Sequence, residues 1–224
     1  MKLSEILRTE AQELWDSYLT HPFIREVAEG TLPIEKFRYY MIQDYLYLFD
    51  YTKVYALGII RSREPELMKF FADFVYSTLN TEMDIHRSYM KRLGIPLEEA
   101  EQASMHLDNL SYTHYMLSVA HNGDVLEILA TILSCAWSYE FIGKYLSKIP
   151  GVLTHPFFGE WVQGYASEEY AAGNRQILAM VDRLGEVISA EQLTRLKEIF
   201  INCSIYEYKF WDMAYAGREP SANA

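Results

Sequence analysis

Between Glu127 and Glu140 the chain carries no charged side chain, and the stretch ILATILSCAWSYEFIGKY from Ile128 to Tyr145 is apolar almost throughout. Such a run has few stable homes. It is too short for a bilayer, which needs about 20 apolar residues, so the expectation is a helix enclosed by protein on most sides. A helix of that kind needs other helices to cover it, which points to an all-α chain. Cys135 lies near its centre, with Tyr139 one turn on and so on the same face. A cysteine there is either core filler, a common fate of free thiols, or a nucleophile aimed into a pocket that other helices complete.

The rest of the chain reads as helices separated by breakers. Helical spacing runs from Leu3 to Leu19 and stops at Thr20-His21-Pro22-Phe23, after which a short helix ends at Gly30. Thr31-Leu32-Pro33-Ile34-Glu35 is a helix start that launches a long helix to about Ser62. Pro65 opens another, predicted to continue unbroken to Leu93 and to stop at Gly94-Ile95-Pro96. A short helix from Leu97 to Met105 leads to one that begins near Ser111 and ends at Asn122-Gly123. Asp124 with Glu127 has the spacing of a capping box for the central helix, which ends at Pro150-Gly151. After His155-Pro156-Phe157, Ser167 and Glu168 start a helix to Gly185. Ser189 with Gln192 then caps a last helix that runs to Gly217. No segment alternates with period two. The predicted architecture is a single-domain helical bundle over residues 1–217, with 218–224 as a disordered tail.

Composition narrows the function. The 20 basic and 31 acidic residues leave a net charge of −11, and no basic cluster stands out, which argues against a nucleic-acid partner. The amphipathic, charged start MKLSEILRTEAQELW contains no apolar run of the signal-peptide kind. With only two cysteines the expected setting is a reduced cytoplasm with free thiols and no membrane partner. The 18 tyrosines suit interfaces or the lining of an aromatic-ligand pocket.

Two carboxylates and one Glu/His pair stand out. Asp44 sits inside the long second helix and shares a face with Tyr47 and Tyr51, a setting in which a carboxylate needs a partner. Glu207 lies among aromatics in SIYEYKFWDMAY, on one face with Cys203 and Phe210. A carboxyl buried there acquires a raised pKa and can serve as a general acid. Spacing alone therefore pairs Glu207 with Cys203 rather than with Cys135. Glu82 and His86, at i and i+4, could be half of a metal site, and a metal-dependent oxidase is the alternative they raise. No second such pair exists, so an ion pair of Glu82 with His86 or Arg87 is the expected reading.

Several stretches together carry a resemblance: HPF at 21–23, GTLPIEKFRYYMIQDYLYL at 30–48, EMDIHR at 82–87 and SYTHYM at 111–116. They continue as LSCAWSYEFIG at 133–143, WVQGY at 161–165 and YEYKFWDMAY at 206–215. In this order the chain resembles the thiaminase II (TenA) family over its whole ordered length. The resemblance implies a haem-oxygenase-like all-α fold without haem or other cofactor, assembled as a homotetramer. It implies hydrolysis of 4-amino-5-aminomethyl-2-methylpyrimidine to the hydroxymethylpyrimidine and ammonia, and cleavage of thiamine to the same pyrimidine and the thiazole alcohol, in thiamine salvage. By the same resemblance Cys135 is the nucleophile, Glu207 the acid/base and Asp44 the anchor for the aminopyrimidine edge. Tyr139 and Tyr165 match pocket positions, Tyr47 and Tyr112 match supports of the thiol and acid, and Cys203 has no role. A non-catalytic pyrimidine binder or regulator is the remaining alternative.

Overall fold

The computed structural model describes residues 1–217. The tail expected over 218–224 lies outside the described residues. Twelve α-helices carry the described chain, and no strand occurs among the described residues. They are α1 (Leu3–Glu10), α2 (Gln12–Tyr18), α3 (Pro22–Glu29), α4 (Ile34–Arg61), α5 (Pro65–Ser77) and α6 (Met83–Arg92). Then follow α7 (Leu97–Gln102), α8 (Leu107–Asn122), α9 (Val125–Leu146), α10 (Gly159–Ala166), α11 (Glu168–Leu184) and α12 (Ala190–Ala216).

The local signals act where the sequence places them. Asp124 accepts from the backbone N–H of Glu127 while Glu127 reaches back to the N–H of Asp124, and Ser189 with Gln192 does the same for α12. Both HPF motifs are helix-entry turns: His21 accepts from the N–H of Phe23, and His155 from those of Phe157 and Phe158. Gly30 ends α3 in the left-handed region, at φ 68°.

Three expectations need correction. The predicted first helix is two, broken at Ala11. The helix expected from Pro65 to Leu93 is interrupted by a five-residue π-helical turn, Thr78–Glu82, between α5 and α6. A π turn accommodates an extra residue without ending the helix, so nothing in the local propensities marks it. The central helix stops at Leu146, short of the expected Pro150-Gly151. Although its charge-free run is too short for a bilayer, all 22 residues of α9 by length and composition could cross a membrane, yet 78% of its most apolar window is buried within the protein.

That burial organises the fold. Helices α4, α8, α10, α11 and α12 all pack on α9, and its Ile128, Leu129, Ile132, Leu133 and Ile142 are fully enclosed. These side chains belong to a continuous cluster that also includes Trp15, Phe37, Tyr40, Phe200 and Trp211 from other helices. The centre of α9 therefore lies where the inward faces of the surrounding helices meet.

Candidate active site

A cavity of about 310 Å³ opens beside the middle of α9, a size suited to a small heterocycle. Each wall follows from helical periodicity. From α4 come Asp44, Tyr47, Leu48, Tyr51 and Tyr55, spaced so that they share one face. From α9 come Cys135, Ala136 and Tyr139; α10 supplies Trp161 and Tyr165, and α11 supplies Tyr170 and Asn174. The π turn and α6 close the remaining side with Glu82, His86 and Tyr89.

The approach of α10 to α9 depends on one residue. A Cβ on Gly143 would lie 2.8 Å from the carbonyl carbon and Cβ of Tyr165 and 2.9 Å from the nitrogen of Ala166. Two of these are backbone atoms and the third is a Cβ fixed to the backbone, so none can rotate away. Gly143→Ala is expected to cost about 1–3 kcal/mol by overpacking and to displace Tyr165, whose ring centroid lies 4.7 Å from that of Tyr139. Thermal denaturation together with ligand affinity checks this; an unchanged melting temperature and affinity would contradict it.

Asp44 is buried and has two protein donors on one oxygen. His86 Nε2 donates to Oδ2 at 2.7 Å and the Tyr40 hydroxyl donates at 3.2 Å. Tyr40 in turn accepts from the Trp161 indole at 3.2 Å and lies 3.2 Å from the Tyr139 hydroxyl. The other His86 nitrogen, Nδ1, faces the backbone carbonyl of Glu82 at 2.9 Å. With acceptors at both nitrogens, the ring carries both protons. Burial pulls the imidazole pKa down, but the hydrogen bond to Asp44 and the charges of Asp44 and Glu82 more than offset this, and the net shift is upward.

The expected Glu82 ion pair is therefore absent as such: His86 pairs with Asp44, and Arg87 with Asp84 at 2.8 Å. A His86 with both nitrogens committed has none left for a metal, and no group of three or more metal-binding side chains occurs among the described residues.

Cys135 lines the cavity, whereas Cys203 is fully enclosed and does not. The spacing argument that favoured Cys203 fails because sharing a face of α12 with Glu207 does not place a thiol at the cavity. Burial, and next the Glu207 carboxylate, push the Cys135 thiol well up, while a hydrogen bond from Tyr47 opposes them. Free Cys135 thus holds its proton at neutral pH.

Glu207 is buried behind Cys135, outside the cavity lining. The Tyr112 hydroxyl donates to its Oε1 at 2.6 Å. Burial raises this carboxyl to about 7, with Asp44 adding to the rise and hydrogen bonds from Tyr112 and Cys135 holding it down. Tyr112 is fixed between Tyr206, stacked at 5.3 Å, and Tyr47 at 5.4 Å. The structure thus gathers Asp44, Tyr47, Cys135, Tyr139 and Tyr165 around one cavity, with Tyr112 and Glu207 immediately behind it. Local spacing did not reveal His86, Tyr40, Trp161 or Tyr170 as neighbours of that cavity. A buried Asp44 that required a partner was the one signal pointing toward His86.

The model of the TENA/THI-4/PQQC family matches residues 8–217. A Helicobacter pylori protein named aminopyrimidine aminohydrolase is 43% identical, over 96% of this chain and 99% of that one. A protein of the same name from Halalkalibacterium halodurans is 41% identical, over 97% of each. The solved TenA homologue from P. horikoshii superposes with a TM-score of 0.90 at 29% identity, covering 97% of this chain and 100% of that one. A Shewanella denitrificans domain with a haem-oxygenase-like fold superposes with a TM-score of 0.78 at 18% identity, over 96% and 93% of the two chains, a likeness of fold alone.

Proposed function

The chain belongs to the TENA/THI-4/PQQC family, and on that premise we propose that it is an aminopyrimidine aminohydrolase of the thiaminase II type. In this reading it converts 4-amino-5-aminomethyl-2-methylpyrimidine to the hydroxymethylpyrimidine and ammonia, serves thiamine salvage, and also cleaves thiamine. The observation that carries the reading is the convergence of a cavity-facing Cys135 with a buried Glu207 of raised pKa. The relatives named aminopyrimidine aminohydrolase support the substrate class.

The pyrimidine sits among Tyr139, Tyr165 and Tyr47, with its ring amine donating to Asp44. Both protein donors of Asp44 meet at Oδ2, so Oδ1 serves the ligand. The resting pair is a Cys135 thiol and a Glu207 carboxylate. As sulfur adds to the ring carbon, its proton passes to Glu207 and on to a ring nitrogen, which takes up the electron pair displaced by the addition. Loss of aromaticity lets the ring expel the leaving group from the exocyclic carbon. Water adds there, and reversal of the first step frees the thiol. Tyr47 steadies the sulfur and Tyr112 steadies the acid.

The test is incubation of purified protein with the aminomethylpyrimidine and, separately, with thiamine, measuring hydroxymethylpyrimidine and ammonia or thiazole alcohol. Bound pyrimidine without product would favour a non-catalytic binder instead. A homotetramer in the cytoplasm completes the proposal. Light scattering at micromolar protein tests the assembly, for which exposed Ile60 and Tyr76 offer apolar surface.

Because the relay starts from ionised Glu207, kcat/KM is expected to rise with pH through about 7, the value its carboxyl takes in the free site. Tyr112→Phe removes the hydrogen bond that lowers this pKa, so the rising limb should move to higher pH by about one unit. A limb that stays in place would show that Glu207 does not set it.

A further inference from the structure

The mechanism above uses one of the acidic groups facing the cavity and leaves another without a task. Glu82 ends the π turn, lines the cavity and is half-buried. Among the described residues no donor reaches its side chain; its backbone carbonyl alone is engaged, by His86. An aromatic-walled cavity is a costly place for a carboxyl without a partner. Burial raises it to about 7, with the neighbouring Asp44 adding to the rise and His86 opposing it. Tyr55, Tyr165, Tyr170 and Cys135 all feel its charge.

We propose that Glu82 is the leaving-group subsite, its carboxylate binding the protonated aminomethyl substituent while Asp44 holds the adjacent ring amine. The inference rests on the aminopyrimidine reading and extends it to a residue that reading does not use. The two amines stand on neighbouring ring positions of the substrate. Their two acceptors are neighbours too, joined through one imidazole that bonds to Asp44 Oδ2 and to the backbone of Glu82. A primary alkylamine is protonated at neutral pH, and a cation placed between these carboxylates relieves their mutual repulsion. When the C–N bond breaks, its electron pair leaves on nitrogen, so the ammonium departs as ammonia with its three hydrogens. Glu82 neither gains nor loses a proton. A thiazolium group offers no N–H to this carboxylate, so Glu82 favours the amine over thiamine.

Ligand binding tests this without turnover, by calorimetry in a Cys135→Ala background. The probes are the aminomethylpyrimidine and the hydroxymethylpyrimidine, which differ in the charge of one substituent. Adding Glu82→Gln should weaken the amine about 10- to 100-fold, as expected for loss of a charge-assisted hydrogen bond. The alcohol should change less than about twofold, which also reports an intact fold. Glu82→Asp, which keeps the charge, should recover part of the loss. If Glu82→Gln weakens both ligands equally, or neither, while the Cys135→Ala parent binds both, the subsite assignment is wrong and the functional reading stands. If the parent binds neither pyrimidine, both are wrong.

Discussion

Cys135→Ala is expected to reduce turnover of the aminomethylpyrimidine by at least about 10³-fold, the scale of losing a covalent nucleophile, while Cys203→Ala keeps most of it. The contrast follows from position. Cys135 borders the cavity at 9% exposure, whereas Cys203, at 0%, lies in the packed interior and does not line it. Truncating Cys203 leaves a small void worth about 1 kcal/mol of stability, so activities should be compared well below the melting temperature. Alkylation adds a second readout. Because burial and Glu207 push the Cys135 thiol up, iodoacetamide should modify it slowly at neutral pH and faster in alkali. Retained activity in Cys135→Ala with loss in Cys203→Ala would overturn the assignment.

Glu207→Gln should separate activity from stability. Activity is expected to fall by about 10²–10⁴-fold, as for loss of a positioned acid/base. Stability should rise in alkali. The folded carboxyl titrates at about 7 against an ordinary 4.5, chiefly because it is buried. The native state therefore keeps a proton that the unfolded chain releases above 4.5, and stability falls as pH rises from there through 7. Above 7 the full penalty of the buried charge is present, on the order of 3 kcal/mol. Gln is neutral at every pH and still accepts from Tyr112, so it avoids that penalty. Urea unfolding near pH 8 should show the variant more stable than the parent, with the gap closing near pH 4. Equal stability at both pH values would mean that Glu207 is not a strained buried acid.

The parts of the molecule legible in the sequence were those fixed by near neighbours. Asp124 with Glu127 and Ser189 with Gln192 cap their helices as their spacing requires, and Gly30 ends α3. What stayed hidden depends on partners far along the chain. The π turn at Thr78–Glu82 has no Gly or Pro to betray it and is followed directly by α6. His86 read as the mate of Glu82, four residues away, because its true partner Asp44 is 42 residues distant in the chain. The preference for Cys203 failed in the same way: periodicity ranks residues on one helix and carries no information about which face meets a cavity built by other helices. The resemblance to a family singled out Cys135 where spacing did not, and it left Glu82 without a role.

Helix α9 has a consequence for how the chain can mature. It leaves the ribosome well before α12, and α12 is one of its principal covers. Until residues 190–216 are made, a 22-residue segment apolar enough to enter a bilayer lacks part of its shield. Helix α12 also carries Glu207. Shielding of the apolar helix and completion of the acid/base pair are therefore one event, reached only once α12 has been made. A chain that stops short of α12 lacks the acid and presents a greasy helix to chaperones, membranes and its own copies.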